Sequence, residues 1–204
     1  MKNQIIIVGA FHEIIELAED NNLKIAGLID NKKKDNYKGY KILCDDQGAK
    51  DLSKIYQDYF IIITPDSPRI RKHLQSYYSK LGFNFISLFS KDAKISKSSD
   101  ISNGTIIQYG VNVSAECKIG KFVKLNTYCN IMHNSVIDNY TTVAPNAVVL
   151  GNIKVGKSCY IGANSTILPN LIIEDNVIIG ASSIVTKNIR QGKTIYGIPA
   201  KEKM

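Results

Sequence analysis

Histidine is the side chain best suited to exchanging a proton near neutral pH, and this 204-residue sequence holds three: His12, His73 and His133. His73 lies in the run Arg69-Ile70-Arg71-Lys72-His73 and reads as a solvated helix face. His12 follows Val8-Gly9-Ala10-Phe11, a strand end entering a turn. His133 stands in Asn130-Ile131-Met132-His133-Asn134, with the amide oxygen of Asn134 available to orient a ring N–H. A neutral imidazole so placed can accept the proton that an attacking amine or hydroxyl must lose. Metal chemistry is not expected. Cys44, Cys117, Cys129 and Cys159 show no CxxC pairing and no ligand spacing, and they read as reduced thiols of a cytoplasmic protein.

What positions His133 is a repeat. From Ile95 an aliphatic residue recurs every six positions: Ile95, Ile101, Ile107, Val113, Ile119, Leu125, Ile131, Ile137, Val143, Val149, Val155, Ile161, Ile167, Ile173, Ile179 and Val185. Two residues before each comes a smaller one, among them Ser99, Thr105, Cys117, Cys129, Ser135, Thr141 and Cys159. Six matches neither the 3.6 of a helix nor the 2 of a plain strand. It fits a short strand with two inward residues followed by a corner. Three such sides close a triangular coil, and the coils stack at the usual strand spacing of ~4.8 Å. The expected fold is a parallel β-solenoid of about five coils. His133, two residues past Ile131, projects from a corner on which Ala115, Gly151 and Pro169 also stack. Gly151 removes the side chain beside the imidazole and exposes a backbone N–H.

The preceding half reads differently. Gln4–Gly9, Ile25–Ile29 and Tyr59–Ile63 are apolar strand runs, with helices expected over residues 11–21 and 68–81 and a short strand over 84–88. Alternating strands and helices mark a small parallel α/β domain. Ligands on such sheets sit beyond the carboxyl ends of the strands, here near Gly9, His12, Asp30, Asn31 and Asp66. The opening Met1-Lys2-Asn3-Gln4 before Ile5 does not read as a signal peptide, and no apolar run is long enough to span a bilayer. Residues 1–90 carry thirteen Lys and Arg against eleven Asp and Glu, whereas residues 91–204 carry thirteen against seven. A basic second half suggests an anionic ligand.

The hexads Ile119-Gly120-Lys121, Val155-Gly156-Lys157, Ile161-Gly162-Ala163 and Ile179-Gly180-Ala181 resemble the left-handed β-helix of hexapeptide-repeat acyltransferases, over residues 93–185. Tyr196-Gly197-Ile198-Pro199-Ala200-Lys201 looks like the Gly-x-Pro-Ala-Lys tail that follows that helix. Residues 1–88 resemble the Rossmann-like nucleotide-sugar-binding domain of one branch, the sialic-acid O-acetyltransferases and nucleotide-amino-sugar N-acetyltransferases. The resemblance implies domains of residues 1–88 and 89–204, and acetyl-CoA as acyl donor. It also implies a homotrimer with CoA sites between neighbouring prisms, and a nucleotide-sugar acceptor for surface glycan synthesis. It makes His133 the general base, oriented by Asn134. Thr142, Gly151, Ala163, Ala181 and Lys187 fall to the CoA side, with Lys154, Lys157, Arg190 and Lys193 as further candidates for its phosphates. Gly9, His12, Asp30, Asn31 and Asp66 fall to the nucleotide sugar. Neither nucleic acid nor a membrane is implied as a partner.

Three departures are visible. Family members place Asp or Glu where Asn134 stands, and often a second histidine where Thr142 stands. They open with Gly-x-Gly-Gly-His, where this chain has the shorter Gly9-Ala10-Phe11-His12. A weaker base favours an amine over a hydroxyl acceptor. N-acetylation is therefore the leading expectation, O-acetylation of sialic acid or another sugar the second, and a non-catalytic sugar-nucleotide-binding or scaffold protein the third. A zinc hydratase on the same prism would need three converging histidines, and residues 89–204 hold one.

Overall fold

The computed structural model describes residues 4–56 and 58–202, so Met1–Asn3 lie outside the described residues. The chain divides into two units, Met1–Asp66 with Ile70–Leu88, and Ser67–Arg69 with Phe89–Met204.

The first unit is a sheet flanked by helices. Its elements are β1 (Gln4–Val8), α1 (His12–Asp20), β2 (Lys24–Ile29), β3 (Asn36–Tyr37), β4 (Tyr40–Cys44), α2 (Ala49–Ile55), β5 (Phe60–Ile63), α3 (Pro68–Lys80) and β6 (Asn84–Phe85). The strand order is β3-β4-β2-β1-β5-β6, parallel throughout except for the β3–β4 hairpin. Strand β1 lies between β2 and β5, and its Ile5-Ile6-Ile7 run is wholly buried. Such continuous β-branched runs are what a parallel strand covered on both faces requires. The hairpin turns on Lys38 (φ 50°) and Gly39 (φ 82°), the two consecutive positive φ values of a tight primed turn. The strand expected over residues 84–88 is two strands. Asn84–Phe85 closes the α/β sheet, while Leu88–Phe89 begins the solenoid.

The second unit is the triangular prism. All sixteen aliphatic positions end a two-residue strand, and these strands stack in parallel on three sheets; Leu88–Phe89, Thr194–Tyr196 and Lys201–Glu202 extend one of them, giving sheets of eight, six and five strands. Partners are offset by eighteen residues, as in Asn112–Asn130, Lys118–Val136 and Lys124–Thr142. From Ile107 to Val185 every aliphatic residue of the series is buried. Phe89, six before Ile95, packs on the same core, so the prism begins one side earlier than the repeat suggests. After Val185 the period shortens: Ile189 pairs with Ile173 and Ile195 with Ile179, sixteen residues apart. Thr194–Tyr196 and Lys201–Glu202 then fold back as an antiparallel pair that holds the tail.

The corners need a left-handed residue every sixth position. Positive φ recurs without a break from Gly104 through Asn134 (φ 59°) to Ser182 (φ 57°), with asparagine at 134, 146, 152, 164, 170 and 176. Asparagine tolerates this region better than most residues with a Cβ. Asn134 is therefore first a corner-former.

Candidate active site

His133 is exposed on the corner between the six- and five-stranded sheets, as its place in the repeat dictates. Its Nδ1 lies 3.0 Å from Asn134 Oδ1. With the ring proton on Nδ1 donating to that oxygen, Nε2 is left as the proton acceptor. The imidazole lies across Gly151. A Cβ built on Gly151 would stand 2.6 Å from both Cε1 and Nε2 of His133, and 3.2 Å from Nδ1. No other residue admits the ring there. The expectation of an open glycine needs correcting in one respect: Gly151 is buried, because the imidazole covers it. Its N–H nonetheless makes no hydrogen bond to any described residue.

The remaining prism candidates do not gather at that corner. Lys187 does share it, three coils beyond His133 at the same phase of the repeat. Ala163 and Ala181 stack on the next corner, between the eight- and six-stranded sheets. Thr142 is on the eight-stranded sheet, the side facing away from His133, and is fully buried rather than open to a ligand. Lys187, Arg190 and Lys193 line one cavity at the tail end of the prism, together with Glu202, which pairs with Lys193 at 2.5 Å. Lys154 lines a different cavity beside Asp138, Glu174 and Asp175, and is thereby set apart from the basic cluster. Cys117, Cys129 and Cys159 are core residues, and burial raises each thiol's pKa.

In the α/β unit, Gly9, Asp30 and Asn31 line one cavity at the carboxyl ends of β1, β2 and β5, with Val8, Pro65 and Asp46 beside them. Asp30 is the hub of its rim. Its Oδ2 accepts the Ala10 N–H at 2.8 Å, and its Oδ1 accepts those of Lys32 and Lys33 at 2.8 and 2.9 Å. Burial acts to raise its pKa, but the three N–H donors and the Lys33 charge outweigh it, so the carboxyl sits below its ordinary value. Asp30 thus latches its own loop to the β1–α1 turn. Gly9 (φ +87°) fits where a Cβ would collide with Thr64 Oγ1 at 2.4 Å, and that hydroxyl donates to Val8 and Gly9 carbonyls. His12 and Asp66 stand outside this lining: His12 faces Glu16 at 3.6 Å and packs edge-on to Tyr37.

Several residues of this rim escaped sequence reasoning. Asp46 exchanges two hydrogen bonds with the Asn31 amide and receives Tyr78 Oη at 2.6 Å. Lys33 Nζ donates to the Ala10 carbonyl and lies 3.4 Å from the Tyr37 ring centre. Arg71, buried within α3, donates Nη1 to the carbonyls of Pro65 and Asp66 at 2.8 and 3.1 Å. Its burial lowers its pKa to about 10, opposed by the Asp66 charge, so it remains a cation at neutral pH. The available signal was an arginine two residues after Arg69 on the apolar side of α3.

Among the described residues, no group of three His, Cys, Asp or Glu could hold a metal, and no helix is long and apolar enough to cross a membrane. Residues 116–151 and 152–187 match the family model of the bacterial transferase hexapeptide (six repeats). The chain is similar to a variant of perosamine N-acetyltransferase from Caulobacter crescentus in complex with CoA and GDP-perosamine. Identity is 20% over 98% of this chain and 97% of that one, with a TM-score of 0.94. It is similar to the acetyltransferase domain of PglB from Neisseria gonorrhoeae at 23% identity, over 98% of this chain and all of that one, with a TM-score of 0.93. WeeI from Acinetobacter baumannii is 27% identical over 98% of this chain and 100% of its own, with a TM-score of 0.88. Hexapeptide repeats of the bacterial transferase type build the prism of this chain, a left-handed β-helix, and its fold is shared with these acetyltransferases.

Proposed function

We propose that this chain is an acetyl-CoA-dependent acetyltransferase that transfers acetyl to the amine of a nucleotide-linked amino sugar, for surface glycan synthesis. The observation that carries the reading is the imidazole of His133 lying across Gly151, with Nδ1 held by Asn134. Acetyl-CoA supplies an acetyl group already activated as a thioester, so no Ser or Cys nucleophile is needed. His133 Nε2 takes the proton from the sugar amine as the nitrogen attacks the acetyl carbonyl. Gly151 N–H donates to the carbonyl oxygen as it gains negative charge, a contact typically worth ~3–4 kcal/mol of barrier. As the new amide forms, the C–S bond breaks and CoA leaves as its thiolate, which takes up the proton held on His133 to give the free thiol.

The α/β unit serves in this reading as a Rossmann-like domain for the nucleotide sugar, its ligand lying over Gly9, Asp30 and Asn31 with His12 and Asp66 at the margin. Lys187, Arg190 and Lys193 neutralise phosphates of CoA. Within one chain Gly151, Ala163, Ala181 and Thr142 lie on two corners and an opposite side. Their scatter favours CoA sites shared between neighbouring prisms of a homotrimer. Free thiols and the use of acetyl-CoA suit a cytoplasmic setting. CoA with GDP-perosamine in the Caulobacter relative supports the amine as acceptor. The test is release of free CoA thiol from acetyl-CoA with UDP- and GDP-linked 4-amino sugars, against matched sugars bearing only hydroxyls. Release with the amines alone is expected. Release with hydroxyl acceptors alone favours O-acetylation, and no release with either favours a binding protein.

A further inference from the structure

The inward row of small residues carries hydroxyls that do more than fill space. Thr105 Oγ1 donates to the Gly120 carbonyl at 2.9 Å, Ser135 Oγ to that of Leu150 at 2.9 Å, and Thr141 Oγ1 to that of Gly156 at 2.8 Å. Each bond spans fifteen residues, from the prism interior to the corner of the next coil. The Ser135 and Thr141 hydroxyls also accept the N–H groups of Ile153 and Cys159, so they are fully engaged.

These bonds fix the direction of a peptide plane. In a trans peptide the C=O and the following N–H point opposite ways. A carbonyl drawn inward to a buried hydroxyl therefore turns the next N–H outward. At two such corners the outward N–H has found an oxygen. Lys121 N–H donates to Asn139 Oδ1 at 2.6 Å, and Lys157 N–H to Asp175 Oδ1 at 2.7 Å. In both cases the acceptor is the side chain eighteen residues later. Two further corners carry the bond: at one, Ser99 Oγ donates to the Ser114 carbonyl at 2.6 Å, and the other is the one holding His133. There the peptide is Leu150–Gly151, and the residue eighteen after Gly151 is Pro169, which has no side-chain acceptor. Gly151 thus presents its N–H toward the place that an oxygen occupies on the sister corners, while its Cα carries the imidazole.

We infer that Ser135 is a positioning residue for the acetyl transfer: its buried hydroxyl holds the Leu150 carbonyl so that Gly151 N–H is aimed at the carbonyl oxygen of the acetyl group. The inference rests on the acetyltransferase reading and adds to it the residue that sets the oxyanion donor. Asn139 Oδ1 and Asp175 Oδ1 mark where that oxygen would sit relative to its peptide.

The test compares Ser135→Ala, Ser135→Thr and Ser135→Cys with Thr105→Ala in the full chain. Thr105→Ala deletes the same hydroxyl-to-carbonyl bond at a corner whose N–H already serves Asn139. Threonine and cysteine both occur natively in this row, and Cys117 Sγ reaches the Met132 carbonyl at 3.2 Å in the same geometry. Ser135→Ala is expected to lower kcat about tenfold or more, with both KM values within about twofold, since a donor displaced by ~1 Å loses much of its effect. Ser135→Thr is expected to restore kcat, and Ser135→Cys to fall between. Thr105→Ala is expected to lower Tm as much as Ser135→Ala while keeping kcat. Equal kcat losses in both alanine variants, or full activity of Ser135→Ala, would overturn the inference. Wild-type chain that releases no thiol with any acceptor would instead overturn the acetyltransferase reading.

Discussion

The two units of this chain are built on opposite plans. The prism obtains its backbone from one device repeated: an aliphatic residue inward, a small residue two before it, a left-handed corner three after it. Its candidate site arises where the repeat is broken, by a histidine, a glycine and a proline stacked on one corner. The α/β unit repeats nothing. Its rim is held by single contacts, each made once: Asp30 to Ala10, Thr64 to Gly9, Arg71 to Pro65 and Asp66. Damage to the prism corner should therefore alter turnover and leave stability nearly untouched. Damage to the α/β rim should alter stability and nucleotide affinity and leave the chemistry of bound reactants alone.

The sharpest way to break that contrast is Gly151→Ala. The added methyl occupies the position of the imidazole, so kcat is expected to fall about a hundredfold or more, with nucleotide binding by calorimetry unchanged. A comparable loss of nucleotide affinity would collapse the distinction. The reciprocal lesion is Arg71→Met, which strips two part-buried carbonyls of their donor. Unfolding by urea should show a loss of about 3 kcal/mol. KM for the nucleotide sugar should rise about tenfold, with kcat at saturation kept.

Asn134 belongs to both the repeat and its interruption, and two substitutions separate those roles. Asn134→Gly keeps the left-handed corner and removes the partner of Nδ1, so Tm should hold while kcat drops about tenfold. Asn134→Asp keeps an acceptor and adds a charge that stabilises the imidazolium, so kcat should equal or exceed that of the wild type. The smallest effect is expected at Asp30. Its carboxyl is held below the ordinary 3.8 in the folded chain. The stability it lends is complete above that value and is lost as pH falls through the folded one. Asp30→Asn should therefore lower Tm by a few degrees at pH 7, and the gap should close on acidification below pH 4. A gap that persists at low pH would show that the carboxylate charge is not what holds the loop.

The two plans also differ in how far a sequence exposes them. The solenoid, its corners and the outward place of His133 follow from the period of six alone. The breaks near the ends did not, because Phe89 lies one step before the aliphatic series and the coil after Val185 is two residues shorter. In the α/β unit the buried strands β1, β2 and β5 were legible as apolar runs. Strands β3 and β4 and the half-exposed α2 were not, since a hairpin of Asn36, Tyr37 and Tyr40 and a seven-residue helix carry little periodicity. Asp46 and Arg71 were missed for related reasons: the partners of Asp46 are fifteen and more residues away, and those of Arg71 are backbone carbonyls, which no side-chain pattern displays. Asp30 was placed at the right strand end, but its oxygens are spent on the chain's own N–H groups.

The central claim is that the exposed His133 acts as a base and does nothing for the fold. Its replacement by alanine, assayed by thiol release with a nucleotide-linked amino sugar, is predicted to cut kcat by about 10²–10⁴-fold, while Tm, CoA binding and nucleotide-sugar binding stay as in the wild type. Turnover undiminished in that variant would contradict the account.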